Sequence, residues 1–149
     1  MSTPVTIGFD IGGTNMRAGA ITEAGNIIDS TATEAPHDAD ELQEGIVRIV
    51  NKFRADHCIG AVGLAIAGFL DPDCEIVRFA PHLPWRDRHA RAELQAALGV
   101  PVRLEHDANA AAWGEYKFGG AQGHDNWVLF ALGTGIGATL MQDGNIYRG

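Results

Sequence analysis

The stretch from Ile7 to Asn15 constrains this chain more than any other, because a short apolar strand, Ile7-Gly8-Phe9, runs directly into Asp10-Ile11-Gly12-Gly13-Thr14-Asn15. A carboxylate is carried to the lip of a glycine turn. Two adjacent glycines permit positive φ and let a bulky anion approach backbone N–H groups, while the Thr hydroxyl and Asn amide add neutral donors. The pattern returns: Gly13-Thr14-Asn15-Met16-Arg17-Ala18-Gly19-Ala20 is echoed by Gly133-Thr134-Gly135-Ile136-Gly137-Ala138-Thr139-Leu140. Each copy continues to a Gly-Asn-Ile turn, at Gly25-Asn26-Ile27 and Gly144-Asn145-Ile146. Such a hairpin presents N–H groups at its first bend. Either copy alone is equally well explained as a tight turn in a β-meander; the pair points to two lobes facing one phosphate chain.

The periodicity predicts three strands, Val5 to Phe9, Met16 to Ile21 and Ile27 to Thr33, as one antiparallel meander. Asp38 or Asp40 is placed to cap a helix from about Glu41 to His57, in which Leu42, Ile46, Ile49, Val50 and Phe53 recur at helical spacing. The continuous apolar run Ala61 to Ala67 predicts a strand covered on both faces. A short strand at Glu75 to Phe79, a helix at Ala90 to Leu98 stopped by Gly99, a strand at Val102 to Glu105 and a small-residue helix at Ala108 to Tyr116 follow. Trp127 to Leu132 then opens the second hairpin.

This order excludes two nucleotide folds. A dinucleotide-binding turn needs its glycines to open a helix, whereas Gly133 to Gly137 is followed by Ala138-Thr139-Leu140-Met141, which continues as strand. A P-loop needs Gly-Lys-Ser/Thr, which the sequence lacks.

At 149 residues, 46% hydrophobic and 20% charged, the chain fits a soluble globular protein with a real core. A net charge of -8, with Lys52 and Lys117 the only lysines, argues against a nucleic-acid partner. The Arg86, Arg88, Arg91 cluster reads most simply as the solvated face of a short helix. Cys58 and Cys74 lack CxxC spacing and indicate neither a disulfide framework nor zinc. No positive n-region precedes the first strand and no apolar run approaches membrane-spanning length, so a cytoplasmic location without membrane association is expected.

Five ordered segments resemble the ROK family of sugar kinases and related repressors, within the actin-like ATPase superfamily and nearest to its bacterial glucokinases. They are Asp10 to Asn15, Gly63 to Gly68, Ala80 to Trp85, Glu105 to Ala112 and Leu132 to Gly137. The resemblance implies an α/β actin-like (ribonuclease H-like) lobe, with a mixed sheet of a three-strand meander plus parallel strands and flanking helices, followed by the start of a second, similar lobe. The expected division is a small N-terminal lobe over 1–120 and the first hairpin of a large lobe over 121–149. It also implies phosphoryl transfer from ATP, or polyphosphate, to the 6-hydroxyl of a hexose, with Mg²⁺.

In that scheme Asp107 matches the catalytic base, Asp10 sits near the metal and phosphates, holding Mg²⁺ through phosphate or water, and Gly12, Gly13, Thr14, Asn15, Gly133, Thr134 and Gly135 cradle the phosphates. Gly68, His82, His106 and Asp107 fall at the sugar. Read without the family, Asp107 serves equally well as the N-cap of the helix that starts at Ala108. His106 and His82 stand where most members carry Asn; a neutral imidazole still offers one donor and one acceptor.

The family's Glu and His that complete the sugar site, and its Cys/His zinc site, fall beyond Gly149. The expectation is therefore the N-terminal part of a glucokinase, inactive alone and homo-oligomeric when complete. A ROK-type regulator usually carries a basic helix-turn-helix ahead of the first strand, for which there is no room before Val5. A sugar- or phosphate-binding module without catalysis is the other alternative.

Overall fold

The computed structural model describes residues 2–133 and 135–149, which pack as two compact units, one extending through Glu105 and the other beginning at His106. In the first unit β1 (Val5–Ile11), β2 (Asn15–Ile21) and β3 (Ile27–Glu34) form the expected antiparallel meander, with Ile7 opposite Ala20 and Met16 opposite Thr33. Alternate residues Val5, Ile7, Phe9 and Ile11 are buried, as are Met16, Ala18 and Ala20, which is the period of a sheet with one face on a core. β4 (Ile59–Ile66) runs parallel to β1, and β8 (Val102–His106) completes a five-stranded sheet of order β3-β2-β1-β4-β8.

Two helices supply the rest of this core. In α1 (Ala39–Arg54) the cap is Asp38, whose Oδ1 accepts the Asp40 and Glu41 N–H groups at 3.0 Å, and Leu42, Ile46, Ile49, Val50 and Phe53 are buried as their spacing predicts. The second, α2 (Ala90–Leu98), buries Ala90, Leu94 and Leu98 and stops at Gly99, whose φ of 69° is left-handed. The strand expected to be covered on both faces is fully buried on only one: Val62, Leu64 and Ile66 are inside, whereas Ala61, Gly63 and Ala65 are half-buried. These small residues leave little side chain on that face for other elements to cover.

Between β4 and α2 the single expected strand proves to be three: β5 (Phe69–Leu70), β6 (Val77–Phe79) and β7 (Arg86–Arg88) form a small antiparallel sheet. Arg86 and Arg88 therefore lie on a strand and not on a helix. Arg88 is bound, not solvated: its guanidinium donates to Glu93 Oε2 at 2.7 Å, Asp40 Oδ1 at 2.9 Å and Gln43 Oε1 at 2.7 Å, pinning β7 to both helices. Partial burial opposes its charge, but the bonds to Asp40 and Glu93 outweigh that and hold the guanidinium pKa above its ordinary value. Trp85, buried, donates from Nε1 to the Ala39 carbonyl at 3.0 Å.

The second unit is α3 (Asp107–Phe118) packed on β9 (Trp127–Leu132) and β10 (Ile136–Gln142), with β11 (Asn145–Ile146) outside β10. Ala108 and Ala112 form the buried stripe of α3, and a Cβ on Gly137 would lie 3.2 Å from the Ala108 Cβ, so helix and hairpin approach nearly backbone to backbone. The small residues thus join α3 to the hairpin that follows it. Buried Thr139 donates to Asn109 Oδ1 at 2.8 Å, fixing the register of that contact.

Candidate active site

Asp10 occupies the penultimate position of β1 with its side chain exposed, directly across from Arg17 of β2. Facing residues of neighbouring strands share a face. The turn beyond is three residues long. Its first N–H, that of Gly12, is already used, donating to the Asn15 carbonyl at 3.0 Å, and the Thr14 carbonyl accepts the Ala35 N–H at 2.9 Å. Thr14 and Asn15 are exposed at the bend.

The freedom of φ expected at the adjacent glycines is not used. Neither Gly12 nor Gly13 has positive φ. A Cβ on Gly12 would make only an ordinary 3.5 Å contact with the Asn15 carbonyl, but one on Gly13 would lie 2.6 Å from the His82 Cβ and 3.0 Å from the His82 carbonyl. The space beside Gly13 is filled by the loop that carries His82. Gly68 is similar: buried, without positive φ, and with a Cβ position 2.9 Å from both the Ala80 Cβ and the Phe79 carbonyl.

The structure thus brings Gly13 and His82 into contact, and His82 is exposed between the buried Ala80 and Leu83. Sequence reasoning assigned Gly13 to phosphate and His82 to sugar without joining them. The signal was two motifs, Gly-Gly-Thr and Ala-Pro-His-Leu-Pro-Trp, whose proximity only the fold could reveal.

In the second unit β8 ends at His106 and α3 begins at Asp107. The N-cap is His106, with φ −63° and ψ 140°, so the capping alternative for Asp107 is corrected: Asp107 is the first helical residue. Its Oδ1 accepts the N–H of Ala108 at 2.8 Å and lies 3.3 Å from His106 Nε2. Both side chains are close to half exposed. A carboxylate offers about four acceptor positions, so these contacts leave capacity for a hydroxyl proton.

Gly133 and Gly135 are exposed, the Gly133 N–H donates to the Gly135 carbonyl at 2.9 Å, and a Cβ at either glycine would meet nothing within 4 Å. Open space at this bend suits a bulky anion. Thr134 lies outside the described residues. Asn109 and Thr139 were not singled out from sequence; their bond steadies α3 immediately after Asp107. Among the described residues no group of three or more His, Cys, Asp or Glu side chains gathers, and no helix is long and apolar enough to cross a membrane.

A β-meander extended by the parallel strand β4 and by β8, with a carboxylate at the first glycine turn and a second glycine hairpin, defines a lobe of the actin-like ATPase fold. Within that class the chain belongs to the ROK family, whose model matches residues 6–149. It is 41% identical to a glucokinase of Streptomyces coelicolor over 145 residues, covering 97% of this chain and 46% of that protein. A shorter match, 40% over 88 residues, links 59% of this chain to 23% of the xylose repressor of Bacillus subtilis. Among solved structures, a ROK family glucokinase from Streptomyces griseus, in complex with glucose and AMPPNP, superposes with a TM-score of 0.90 at 39% identity, over 97% of this chain and 46% of its own. The chain therefore spans about half the length of the glucokinases it matches.

Proposed function

We propose that this chain carries the N-terminal share of a hexose kinase that moves the terminal phosphoryl group of ATP to the 6-hydroxyl of glucose. The carrying observation is its likeness, over nearly its whole length, to a glucokinase structure holding glucose and a nucleotide analogue. Polyphosphate is the other donor that the resemblance allows. The lobe division of the sequence reading, an N-terminal lobe and the opening hairpin of a larger one, belongs to this proposal, as do a cytoplasmic location, homo-oligomeric assembly and the absence of a nucleic-acid partner.

Phosphoryl transfer asks little covalent chemistry of the protein; it asks for an oriented hydroxyl, an acceptor for its proton and neutralisation of charge on the phosphate oxygens. Asp107, at the start of α3 with capacity left on its carboxylate, accepts the 6-hydroxyl proton. His106 hydrogen-bonds a sugar hydroxyl in the place most members give to Asn, with His82 and Gly68 on the sugar side. The bends at Gly12 to Asn15 and Gly133 to Gly135 receive phosphate oxygens.

Mg²⁺ is held in such sites by one or two carboxylates together with phosphate oxygens and water. The exposed Asp10 at the lip of the first turn fits that demand; the bound ion would neutralise phosphate charge.

A regulator reading is less well supported, because over nearly the whole chain the identity to a repressor is 30%, against 41% to a glucokinase. The test is titration calorimetry with glucose and AMPPNP, together with glucose-dependent ADP release by this chain alone and joined to the C-terminal half of the Streptomyces coelicolor glucokinase. Turnover only in the joined protein is expected. A folded joined protein that binds glucose without releasing ADP would support the binding-module alternative.

A further inference from the structure

We infer that Gly13 and Gly68 are positioning residues that clasp the His82 loop from two sides, so that the first glycine turn and that loop move as one body. The inference rests on the kinase reading for its ligands, but not for its geometry. At both glycines the backbone conformation is open to any residue, since neither has positive φ. Space is what excludes a side chain. On Gly13 a Cβ would fall 2.6 Å from the His82 Cβ and 3.0 Å from its carbonyl; on Gly68 it would fall 2.9 Å from the Phe79 carbonyl and the Ala80 Cβ and 3.1 Å from the Ala80 Cα. Carbon atoms at rest stay about 3.5 to 4.0 Å apart, so either substitution must move the loop or the glycine's own strand.

The loop has little freedom to yield elsewhere. Ala80 and Leu83 are buried, the Leu83 N–H donates to the Ala80 carbonyl at 3.3 Å, and Trp85 is buried and bonded to Ala39. His82 is the exposed residue between these anchors, resting on Gly13. Displacement of the Gly12 to Asn15 bend is therefore transmitted to His82 through this packing contact, because close-packed atoms pass strain on. On the kinase reading this joins the phosphate end of the site to its sugar end through one glycine.

The experiment compares Gly13→Ala, Gly68→Ala and a control, Gly63→Ala, in this chain; a Cβ on Gly63 meets nothing within 4 Å. Circular dichroism checks that each is folded. The imidazole NMR signals of His82, assigned through His82→Gln, are recorded without ligand and then with Mg²⁺ and AMPPNP. His82 signals should shift in Gly13→Ala and Gly68→Ala and stay in place in Gly63→Ala, and AMPPNP should move them in the unsubstituted chain. In the joined protein glucose affinity, by calorimetry, should fall about tenfold in Gly13→Ala, since sites are sensitive to displacements of about 1 Å.

Unmoved His82 signals in a folded Gly13→Ala overturn the clasp. If Gly13→Ala does not fold, Gly13→Ala with His82→Gly, which removes the nearest clashing atom, should restore folding, and failure to do so also overturns it. Lack of glucose binding by the joined protein with its glycines unsubstituted would count against the kinase reading instead, because the ligand-free His82 shifts decide the clasp alone.

Discussion

At the scale of single residues, Asp107 and Thr139 separate chemistry from scaffolding. The Oδ1 of Asp107 accepts the Ala108 N–H and lies beside His106 Nε2, contacts that the Asn amide oxygen can reproduce, so Asp107→Asn should leave the thermal midpoint nearly unchanged while removing the proton acceptor. In the joined protein, kcat should fall by about 10² to 10⁴, read by coupled ADP release. Thr139 behaves in the opposite way. Its hydroxyl is buried and bonded to Asn109, so Thr139→Val keeps shape but removes that bond, at a cost of about 0.5 to 1.5 kcal/mol in denaturant unfolding. His106 lies between these cases: His106→Asn should keep glucose KM, and His106→Ala should raise it.

At the scale of elements, the caps and turns set what each segment can withstand. Asp38 satisfies two N–H groups at the start of α1, and Asp38→Ala should cost about 1 kcal/mol in the same unfolding measurement. Asp71 does similar work in the turn between β5 and β6. Its Oδ1 accepts the Ile76 and Glu75 N–H groups, both at 2.7 Å. The Ile76 bond is the main reason its pKa lies below the ordinary 3.8, with the Glu75 bond adding to it against partial burial. The sign follows from proton binding: with the folded pKa depressed, the stabilisation is complete above the ordinary value and is lost as pH falls through the folded value. Thermal midpoints measured between about pH 5 and pH 2 should therefore drop less steeply in Asp71→Asn than in the unsubstituted chain.

At the scale of the whole molecule, one face of the β9–β10 hairpin stands out. Its cross-strand pairs Ile136 and Leu132, Ala138 and Phe130, and Leu140 and Val128 all lie on the face opposite buried Thr139 and Met141. Leu132, Ile136 and Phe130 are 79%, 77% and 69% exposed. A contiguous apolar face of this kind promotes association, against which a net charge of -8 is weak protection at short range. Light scattering should show this chain self-associating as concentration rises. The double substitution Phe130→Lys with Leu132→Lys should leave it monomeric with unchanged circular dichroism.

Much of this was legible in the residues. Alternating burial in β1 and β2, the helical stripe of α1, the left-handed stop at Gly99 and the repeated Gly-Thr hairpins are local properties, in which period and turn chemistry specify backbone and facing together. The three-stranded β5–β6–β7 sheet was mostly hidden, because strands of two or three residues carry too little period to read. The meaning of the glycines was hidden more deeply. A sequence shows that Gly13 and Gly68 lack a side chain but not whether φ, a ligand or a neighbour demands it. Only tertiary packing brings His82 against Gly13 and Phe79 and Ala80 against Gly68, and it joins α3 to the second hairpin through Ala108 and Gly137. Contacts between residues distant in sequence depend on how whole elements dock, and no local pattern encodes that geometry.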